Sequence, residues 1–268
     1  MVAPVGDTIS VLSQKGGTGK TTMVRTLADV LRRLGLDVLV ADLDPQGNLS
    51  DYFDVPADAS PTVADVLTGQ AKAADAIHDS VLPANLGLAE AELVLSGKMG
   101  RELTLKRALR EVRKDYDLVL VDCPPALGLL TVNALVAADH ALISSEAEYF
   151  SLQGVEQALE VVELAKESLH PDLDWLGIVL NIADMRLVHA REAQEQLRER
   201  FGEKLFDTVI RRSVRYAESA ERGVSILDYA PDLGADYLAL AAELLERLGG
   251  YEEQSERLAS LRAESAAA

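Results

Sequence analysis

The sequence predicts an α/β protein with a doubly wound, mostly parallel β-sheet and helices on both faces of that sheet. Short aliphatic segments alternate along the chain with longer helical patterns, which is the order expected of parallel strands with crossover helices. A glycine-rich turn joins the first of these segments to the first helix. The predicted strands cover residues 8–13, 38–41, 118–121, 140–144 and 176–180.

The composition fits one large domain. Apolar residues make up 48% of the 268 residues and aromatic residues only 4%, so the core is expected to be aliphatic. No Pro-, Gly- or Ser-rich linker divides the chain, and we expect a single domain over residues 8–250. Residues 1–7 are predicted to be a disordered lead, and residues 251–268 an acidic, alanine-rich tail that is helical or disordered. No run of eighteen apolar residues and no signal-peptide pattern is found, which predicts a cytoplasmic protein.

The first strand leads into a phosphate-binding pattern. Residues 13–22 read S-Q-K-G-G-T-G-K-T-T, and a helical pattern follows over residues 20–34. The glycines remove Cβ atoms that would keep backbone N–H groups away from phosphate oxygens. Lys20 is expected to reach the β- and γ-phosphates and Thr21 to bind Mg²⁺, while the positive end of the helix dipole faces the same anion. A glycine-rich turn without a ligand is disfavoured, because the glycines, the lysine and the threonine all follow a strand.

The second strand ends in carboxylates. Residues 42–48 read D-L-D-P-Q-G-N, which places Asp42 and Asp44 at the carboxyl end of a predicted parallel strand. Ligands of α/β sheets bind at that edge. Taken alone, an acidic segment with proline and glycine is also typical of a simple turn.

The region after this strand is less regular. Helices are predicted over residues 62–67, 71–78 and 103–113, and a short strand over residues 86–89. The four histidines are scattered without the spacing of metal ligands, so we interpret them as surface or structural residues.

The strand at residues 118–121 ends in Asp122, and an acid after an apolar strand is a loose match to a magnesium-holding Walker B motif. Cys123 follows and is interpreted as a small buried side chain. It is the only cysteine, which excludes an internal disulfide and a thiol-based metal site within one chain.

Three helices are predicted in the second half of the chain. The first has an aliphatic stripe at residues 152, 155, 159 and 162 that is expected to pack in the core. The last is expected to pack through residues 238, 241, 245 and 248. The three helices cover residues 151–169, 188–201 and 232–248.

Four segments together resemble the ParA/Soj family of ATPases, which carry the deviant Walker A motif of the ParA/MinD class. The segments read K-G-G-x-G-K-T-T with the extra Lys15, D-x-D-P-Q-G-N, D-C-P-P-x-L-G-L-L-T-x-N-A-L, and T-V-I-R-R-S-V-R. The last resembles the family pattern T-V-I-P-R-N-V-R-L-S-E-A-P, with departures that include Arg211, Ser213 and Ala220 in place of proline, asparagine and the second proline. The resemblance spans residues 8–248 and favours the chromosomal type, without an additional N-terminal DNA-binding domain.

The resemblance implies a P-loop NTPase fold and the roles of several residues. Lys15 would reach across a dimer to the partner's nucleotide, as an arginine finger does. Asp44 would orient the attacking water, while Asp42 and Asp122 would organise Mg²⁺ with Thr21. Lys15, Lys20 and Asp44 are thus the predicted catalytic residues, and the ATP contacts are Lys15, Gly16, Gly17, Thr18, Gly19, Lys20, Thr21, Thr22 and Asn181. For Asn181, which ends a strand where related ATPases contact adenine, capping of the next turn is an equally good interpretation.

The charge distribution points to a nucleic-acid contact despite the net charge of −18. Residues 186–222 contain nine Arg or Lys and seven Asp or Glu, a local balance of +2, which leaves −20 for the rest of the chain. By resemblance Arg186 and Arg215 contact DNA, and Arg211 and Arg212 lie close enough in sequence to join them. Ion pairing on a helix surface is the alternative for each arginine.

The implied function is a slow, Mg²⁺-dependent ATPase that forms a homodimer with ATP and binds double-stranded DNA without sequence preference. It would partition or position a large cargo, be stimulated by a ParB-like or cargo-adaptor protein, and associate with the nucleoid. A MinD-like membrane ATPase is one alternative, but the residues after 250 lack a lysine-lined amphipathic pattern. A metal-cluster carrier would need more thiols, and a nucleotide-gated scaffold or regulator would differ by its low turnover.

Overall fold

The computed structural model describes residues 6–148 and 150–267, with side-chain surroundings through residue 262. Most of the predicted lead, residues 1–5, therefore lies outside the described residues. The strands are β1 (Asp7–Leu12), β2 (Val38–Asp42), β3 (Val81–Leu82), β4 (Leu118–Asp122), β5 (His140–Glu146), β6 (Asp174–Ala183) and β7 (Leu205–Arg211).

Helices connect the strands throughout the described chain. Short 3₁₀ turns cover Arg101–Leu103, Arg113–Asp115 and Gly202–Lys204. The α-helices are α1 (Lys20–Arg33), α2 (Asn48–Tyr52), α3 (Val63–Thr68), α4 (Ala73–Ala76), α5 (Gly87–Ser96), α6 (Thr104–Val112), α7 (Leu129–Ala137), α8 (Ser151–Ser168), α9 (Val188–Phe201), α10 (Arg215–Glu221), α11 (Ile226–Tyr229), α12 (Pro231–Leu248) and α13 (Glu252–Ala267).

The seven strands form one sheet in the order β3-β2-β4-β1-β5-β6-β7, and every pairing between them is parallel. β1 lies at the centre, between β4 and β5. The register places Val11 opposite Asp122 and Asp42 opposite the same Asp122. The carboxyl ends of β1, β2 and β4 therefore meet at one point of the sheet edge.

The sheet is covered on both faces, as predicted. Neighbouring residues of a strand point to opposite faces, and Val11 and Leu12 of β1 belong to two different core clusters. Helices α1 and α12 pack on one face, and α3 and α5 to α8 contribute to the other. Both clusters are mainly aliphatic.

The five strands predicted from the sequence are confirmed, and β1 begins one residue earlier than expected, at Asp7. The aliphatic stripe of α8 packs in the core, and so does the predicted stripe of α12. The confirmed helices are those predicted over residues 20–34, 62–67, 103–113, 151–169, 188–201 and 232–248.

Two local predictions are wrong. Residues 86–89 lead into α5, where Leu88, Ala91 and Leu95 are buried at helical spacing, and the strand of this region is instead the two-residue β3. The helix predicted over residues 71–78 is only the four-residue α4. It stops there because Ile77 is extended, with φ −82° and ψ 126°, and Asp79 and Ser80 follow with φ values of 45° and 63°.

The chain after residue 250 packs against the domain. Leu258 of α13 is fully buried in the cluster that contains α1 and α12. The Tyr251 hydroxyl donates to a carboxylate oxygen of Asp7 at 2.9 Å, and Arg257 donates to the Leu34 carbonyl at 3.0 Å. No helix among the described residues is long and apolar enough to cross a membrane.

Candidate nucleotide site

The glycine loop lies between the central strand β1 and the N-terminus of α1. Gly17 and Gly19 have φ values of 81° and 76°, in the left-handed region that disfavours other residues. A Cβ at Gly19 would also lie 2.6 Å from the amide nitrogen of Asn181. The sequence therefore folds here into a loop whose backbone N–H groups are open to an anion at a helix N-terminus.

Lys20 is buried and held inside this loop. Its ammonium group donates to the Ser13 hydroxyl at 3.0 Å and lies 3.4 Å from the Lys15 carbonyl. The Thr18 hydroxyl donates to the same Ser13 oxygen at 2.9 Å. No carboxylate of the described residues lies within 4.0 Å of Lys20. The lysine is therefore positioned by neutral groups, and its charge is available to an anion.

Thr21 and Asp122 are joined across the cleft. The Thr21 hydroxyl donates to Oδ2 of Asp122 at 2.6 Å, while Oδ1 of Asp122 is buried without a hydrogen-bond partner. Burial, together with the charge of Asp42, raises the pKa of the Asp122 carboxyl well above its usual range. A buried carboxylate oxygen with a free lone pair, beside a threonine hydroxyl, fits a hydrated magnesium ion.

Asp42 lies next to Asp122 but is fully occupied by protein donors. It accepts hydrogen bonds from the backbone N–H of Asp44 at 3.0 Å and from the N–H and hydroxyl of Ser50 at 3.0 and 2.8 Å. Burial raises the pKa of Asp42 to about 6. These contacts make Asp42 the support of the loop that carries Asp44, and its charge adds to the negative potential at Asp122.

Asp44 is half-buried at the cleft. One of its oxygens accepts from the Gln46 backbone N–H at 3.0 Å, as in an Asx turn. Gly47 has a φ of 66°, and a Cβ there would lie 3.0 Å from the Ala84 carbonyl oxygen, so glycine is favoured at this turn. The turn presents the Asp44 carboxylate to the same space that the glycine loop faces.

These parts enclose a cleft of about 520 Å³. Sequence reasoning missed several of its lining residues, including Arg25 and Tyr52; the signal for Arg25 was a charged residue within the apolar stretch of α1. The lining comprises Gly16, Gly17, Gly19, Lys20, Thr21, Thr22, Arg25, Asp44, Asn48, Asp51, Tyr52, Pro125, Ile182, Ala220 and Glu221.

Asn181 is buried behind the glycine loop. Its amide nitrogen donates to the Gly19 carbonyl at 3.2 Å, and its amide oxygen accepts from the Ile182 backbone N–H at 2.9 Å. In this arrangement both ends of the amide are engaged, and Ile182 rather than Asn181 lines the cleft. The Asn181 side chain thus supports the loop and bonds the next residue of its own strand, while its contact with adenine stays a prediction.

Lys15 lies at the exposed side of the glycine loop. Its ammonium nitrogen is 5.7 Å from the ring centroid of Phe150, within the range of a cation–π contact. Burial and the charge of Glu148 raise the pKa of the neighbouring Glu146. Lys15 is thus outside the cleft of its own chain and on the surface beside it.

The four predicted DNA-contact arginines lie at the same sheet edge, since Ala183 of β6 pairs with Arg211 of β7. Three of them form ion pairs: Arg186 with Asp184 at 2.7 Å, Arg211 with Asp236 at 2.9 Å and Arg215 with Asp232 at 3.0 Å. Arg212 is exposed and forms no ion pair within the described part of the chain. The backbone N–H of Arg211 donates to Asp236 at 3.2 Å, a bond that proline would remove.

A family model described as an AAA domain matches residues 6–175. Among curated proteins, the sporulation initiation inhibitor protein Soj of Bacillus subtilis is 39% identical over 90% of this chain and 98% of its own length. The chromosome-partitioning ATPase Soj of Thermus thermophilus is 41% identical over 90% of this chain and 96% of its own. The chromosome partitioning protein ParA of Myxococcus xanthus is 37% identical over 91% and 90%, respectively.

Several solved structures share the fold of this chain. Cobyrinic acid a,c-diamide synthase of Mycobacterium smegmatis, with a bound ATP analogue and magnesium, has a TM-score of 0.74 at 35% identity, over 81% of this chain and 93% of that chain. The septum site-determining protein MinD of Pyrococcus horikoshii, complexed with Mg-ADP, has a TM-score of 0.74 at 26% identity, over 91% and 98%. Apo McdA of Cyanothece shares the fold with a TM-score of 0.82 at 24% identity, over 89% and 99%.

Proposed function

This chain belongs to the ParA/Soj family of P-loop ATPases, and we propose that it hydrolyses ATP as a dimer that binds DNA and positions a large cargo. The observation that carries the nucleotide part of the proposal is the pairing of Thr21 with Asp122 at 2.6 Å, with the second Asp122 oxygen left without a partner. This arrangement supports a phosphate-binding loop and a magnesium site at one helix N-terminus.

ATP and Mg²⁺ are the proposed ligands of this cleft. Lys20 and the loop N–H groups would hold the β- and γ-phosphates, and Thr22 lines the same space. Thr21 and Asp122 would hold the hydrated metal, whose charge neutralises the phosphate oxygens when it is bound. Asp42 would act indirectly, by fixing the loop that follows it.

Asp44 is the proposed water-orienting residue. It lines the cleft at the end of the loop anchored by Asp42, where a carboxylate orients a nucleophile more than it holds a nucleotide. Lys15 is proposed to act on the nucleotide of the partner subunit. Its position on the outer side of the loop, beside Phe150, supports a contact made across an interface rather than within its own chain.

DNA is the proposed track. Arg186, Arg211, Arg212 and Arg215 provide a basic surface in a chain that is otherwise strongly acidic. Three of these arginines are held by carboxylates, so one subunit offers few free charges and the ATP dimer would present two copies. Binding of this kind is independent of sequence and falls steeply with salt. A ParB-like or cargo-adaptor protein would stimulate hydrolysis, and association with DNA would place the protein on the nucleoid.

The membrane alternative receives no support from the C-terminal helix. A membrane-binding helix presents its aliphatic side chains on a free face, whereas Leu258 of α13 is buried against the domain and Leu261 packs beside it.

The proposal is tested by light scattering and DNA binding with ATP, ADP or no nucleotide, on wild-type protein and Lys15→Ala. We expect ATP alone to produce a wild-type dimer that binds DNA of any sequence. Lys15→Ala is expected to bind ATP as a monomer but to lose the stable dimer or its hydrolysis. Wild-type protein that stays monomeric with ATP, or that binds no DNA at low salt, would refute the proposed cycle.

A further inference from the structure

Arg25 is a buried charge on α1 that contacts two other elements, α2 and α10. It extends from α1, and the residue is 4% exposed. Its Nη2 donates to the Tyr216 carbonyl at 2.7 Å and to the Ser219 hydroxyl at 3.2 Å, both in α10. On another side, its guanidinium carbon lies 4.4 Å from the ring centroid of Tyr52, the last residue of α2. The guanidinium therefore joins the helix of the glycine loop to α2 and to α10.

The charge of Arg25 has no ion-pair partner among the described residues. The nearby carboxylate of Asp29 is itself hydrogen-bonded by the Tyr52 hydroxyl at 2.8 Å. Burial lowers the pKa of Arg25, which reflects the cost of placing a charge there. A buried charge is stabilised by an opposite charge nearby, and Arg25 lines the cleft with Lys20 and Thr22. The phosphates of a nucleotide in that cleft would supply it.

The two elements that Arg25 contacts lead to the two other parts of the proposed cycle. α2 directly follows the loop that carries Asp44. α10 begins at Arg215, one of the predicted DNA contacts. Arg25 thus lies where occupancy of the cleft and the position of α10 can influence each other.

We propose that Arg25 is a positioning residue that transmits nucleotide binding to α10. Phosphate charge in the cleft stabilises the buried guanidinium in its contacts with Tyr52, Tyr216 and Ser219, and this holds α10, with Arg215 at its start, in one orientation. The effect on DNA rests on the proposed function above. The effect on α10 does not, because it needs only a nucleotide in the cleft.

A purely structural Arg25 would hold α10 equally with and without nucleotide. Hydrogen exchange of the α10 amides separates the two cases, because it measures local opening in each state. The measurement compares nucleotide-free protein with protein saturated with a non-hydrolysable ATP analogue and Mg²⁺. The variants are Arg25→Gln, which keeps polar contacts but removes the charge, Arg25→Lys, which restores a charge, and Tyr52→Leu, which removes the stacked ring.

In wild-type protein we expect the nucleotide to slow exchange in α10 by about tenfold, the size of a typical coupling between sites. Arg25→Gln should lose this response when it is compared at saturating analogue, where a change in its affinity for the analogue does not enter the comparison. Arg25→Lys should recover part of the response. Tyr52→Leu should weaken it without altering the charge, which covers the case that Arg25→Gln does not fold. The matched control is Arg33→Gln, since Arg33 lies on the same helix but is exposed and paired with Asp228.

An undiminished α10 response in Arg25→Gln or in Tyr52→Leu would overturn the inference, and so would wild-type protein without any response. DNA binding is measured on the same proteins in the presence of ATP. The affinity of Arg25→Gln for DNA is expected to be about tenfold lower than that of wild type. If α10 responds through Arg25 but wild-type protein binds no DNA, the coupling stands and the DNA function fails. If wild-type protein binds DNA and the α10 response survives without Arg25, the DNA function stands and the coupling through Arg25 fails.

Discussion

The nucleotide cleft and the arginine surface (Arg186, Arg211, Arg212 and Arg215) lie at the same edge of the sheet. Their charged groups differ in burial and in ion pairing. In the cleft, Lys20 and Asp122 are buried, and neither has an ion-pair partner within the described residues. On the arginine surface, Arg186 and Arg215 are exposed to solvent and already paired with carboxylates. A buried polar atom without a partner, such as Oδ1 of Asp122, is rare in folded proteins, and a bound ligand would satisfy it, whereas exposed ion pairs already have partners and contribute little to stability.

This difference separates the proposed nucleotide binding from the proposed DNA binding. A nucleotide would satisfy groups that the folded chain leaves unsatisfied. DNA would instead have to compete with Asp184, Asp232 and Asp236 for the arginines. We therefore expect substitutions in the cleft to have large effects and substitutions on the arginine surface to have small ones.

Lys20→Ala is expected to have the largest effect. Because Lys20 is buried and held only by neutral oxygens, its removal leaves the phosphates without their main cation, and ATP affinity should fall by at least about 100-fold. Titration with a fluorescent ATP analogue measures this. Lys114→Ala, at an exposed lysine, is the matched control. ATP binding of Lys20→Ala at wild-type strength would mean that the loop is not the phosphate site.

Asp44→Ala is expected to act on hydrolysis rather than on binding. Loss of a water-orienting carboxylate should lower single-turnover cleavage by about 100-fold, while ATP affinity changes only a few fold. The variant should therefore accumulate as a long-lived ATP dimer. An undiminished cleavage rate would remove Asp44 from the mechanism.

Asp122→Asn is expected to weaken the contribution of Mg²⁺ to ATP affinity by about 10- to 100-fold, the usual effect of losing a residue that holds a metal through other ligands. Affinity is measured with and without Mg²⁺, and Asp115→Asn, at an exposed carboxylate, serves as control. An unchanged Mg²⁺ dependence would show that the unpartnered Asp122 oxygen is not the metal site.

Asp122→Asn, which is expected to weaken nucleotide binding, should by contrast stabilise the nucleotide-free protein. Burial raises the pKa of Asp122 in the folded state. The free energy of unfolding therefore falls as the pH rises from the ordinary pKa of an aspartate to this raised value. Asparagine removes this loss. The Tm of Asp122→Asn relative to wild type should therefore be higher at about pH 8 than at about pH 5. A difference that is constant with pH would contradict this.

Arg186→Ala and Arg215→Ala should have the smallest effects. Each phosphate contact removed is expected to lower the slope of log affinity against log salt by about one unit per subunit contact, without changing ATP-dependent dimerisation. Arg212→Ala sharpens the comparison, because Arg212 is not held by an ion pair in the described residues and should lose more affinity than Arg186→Ala. If all three variants bind DNA like wild type, the basic surface lies elsewhere.

The sequence predicted the fold well because it depends on local patterns, whereas the roles of the cleft residues stay predictions. Aliphatic segments specify buried parallel strands, and the glycine loop specifies its own conformation. It failed where tertiary contacts decide: a strand was predicted over residues 86–89, yet the buried positions Leu88, Ala91 and Leu95 follow helical spacing. The contacts of Arg25 were beyond reach for the same reason, since Tyr216 and Ser219 are more than 190 residues away in the chain.

The Thr21–Asp122 hydrogen bond has a consequence for folding, because it joins residues 101 positions apart. The glycine loop is synthesised long before β4, so the metal site is completed only when the central strands pair, and such long-range parallel pairing is slow. A nucleotide binds the assembled sheet but not the unfolded chain, and by mass action it stabilises the native state, by about 2.7 kcal/mol at a hundredfold excess over Kd. Binding of a nucleotide would therefore raise the folded fraction as the nucleotide concentration rises.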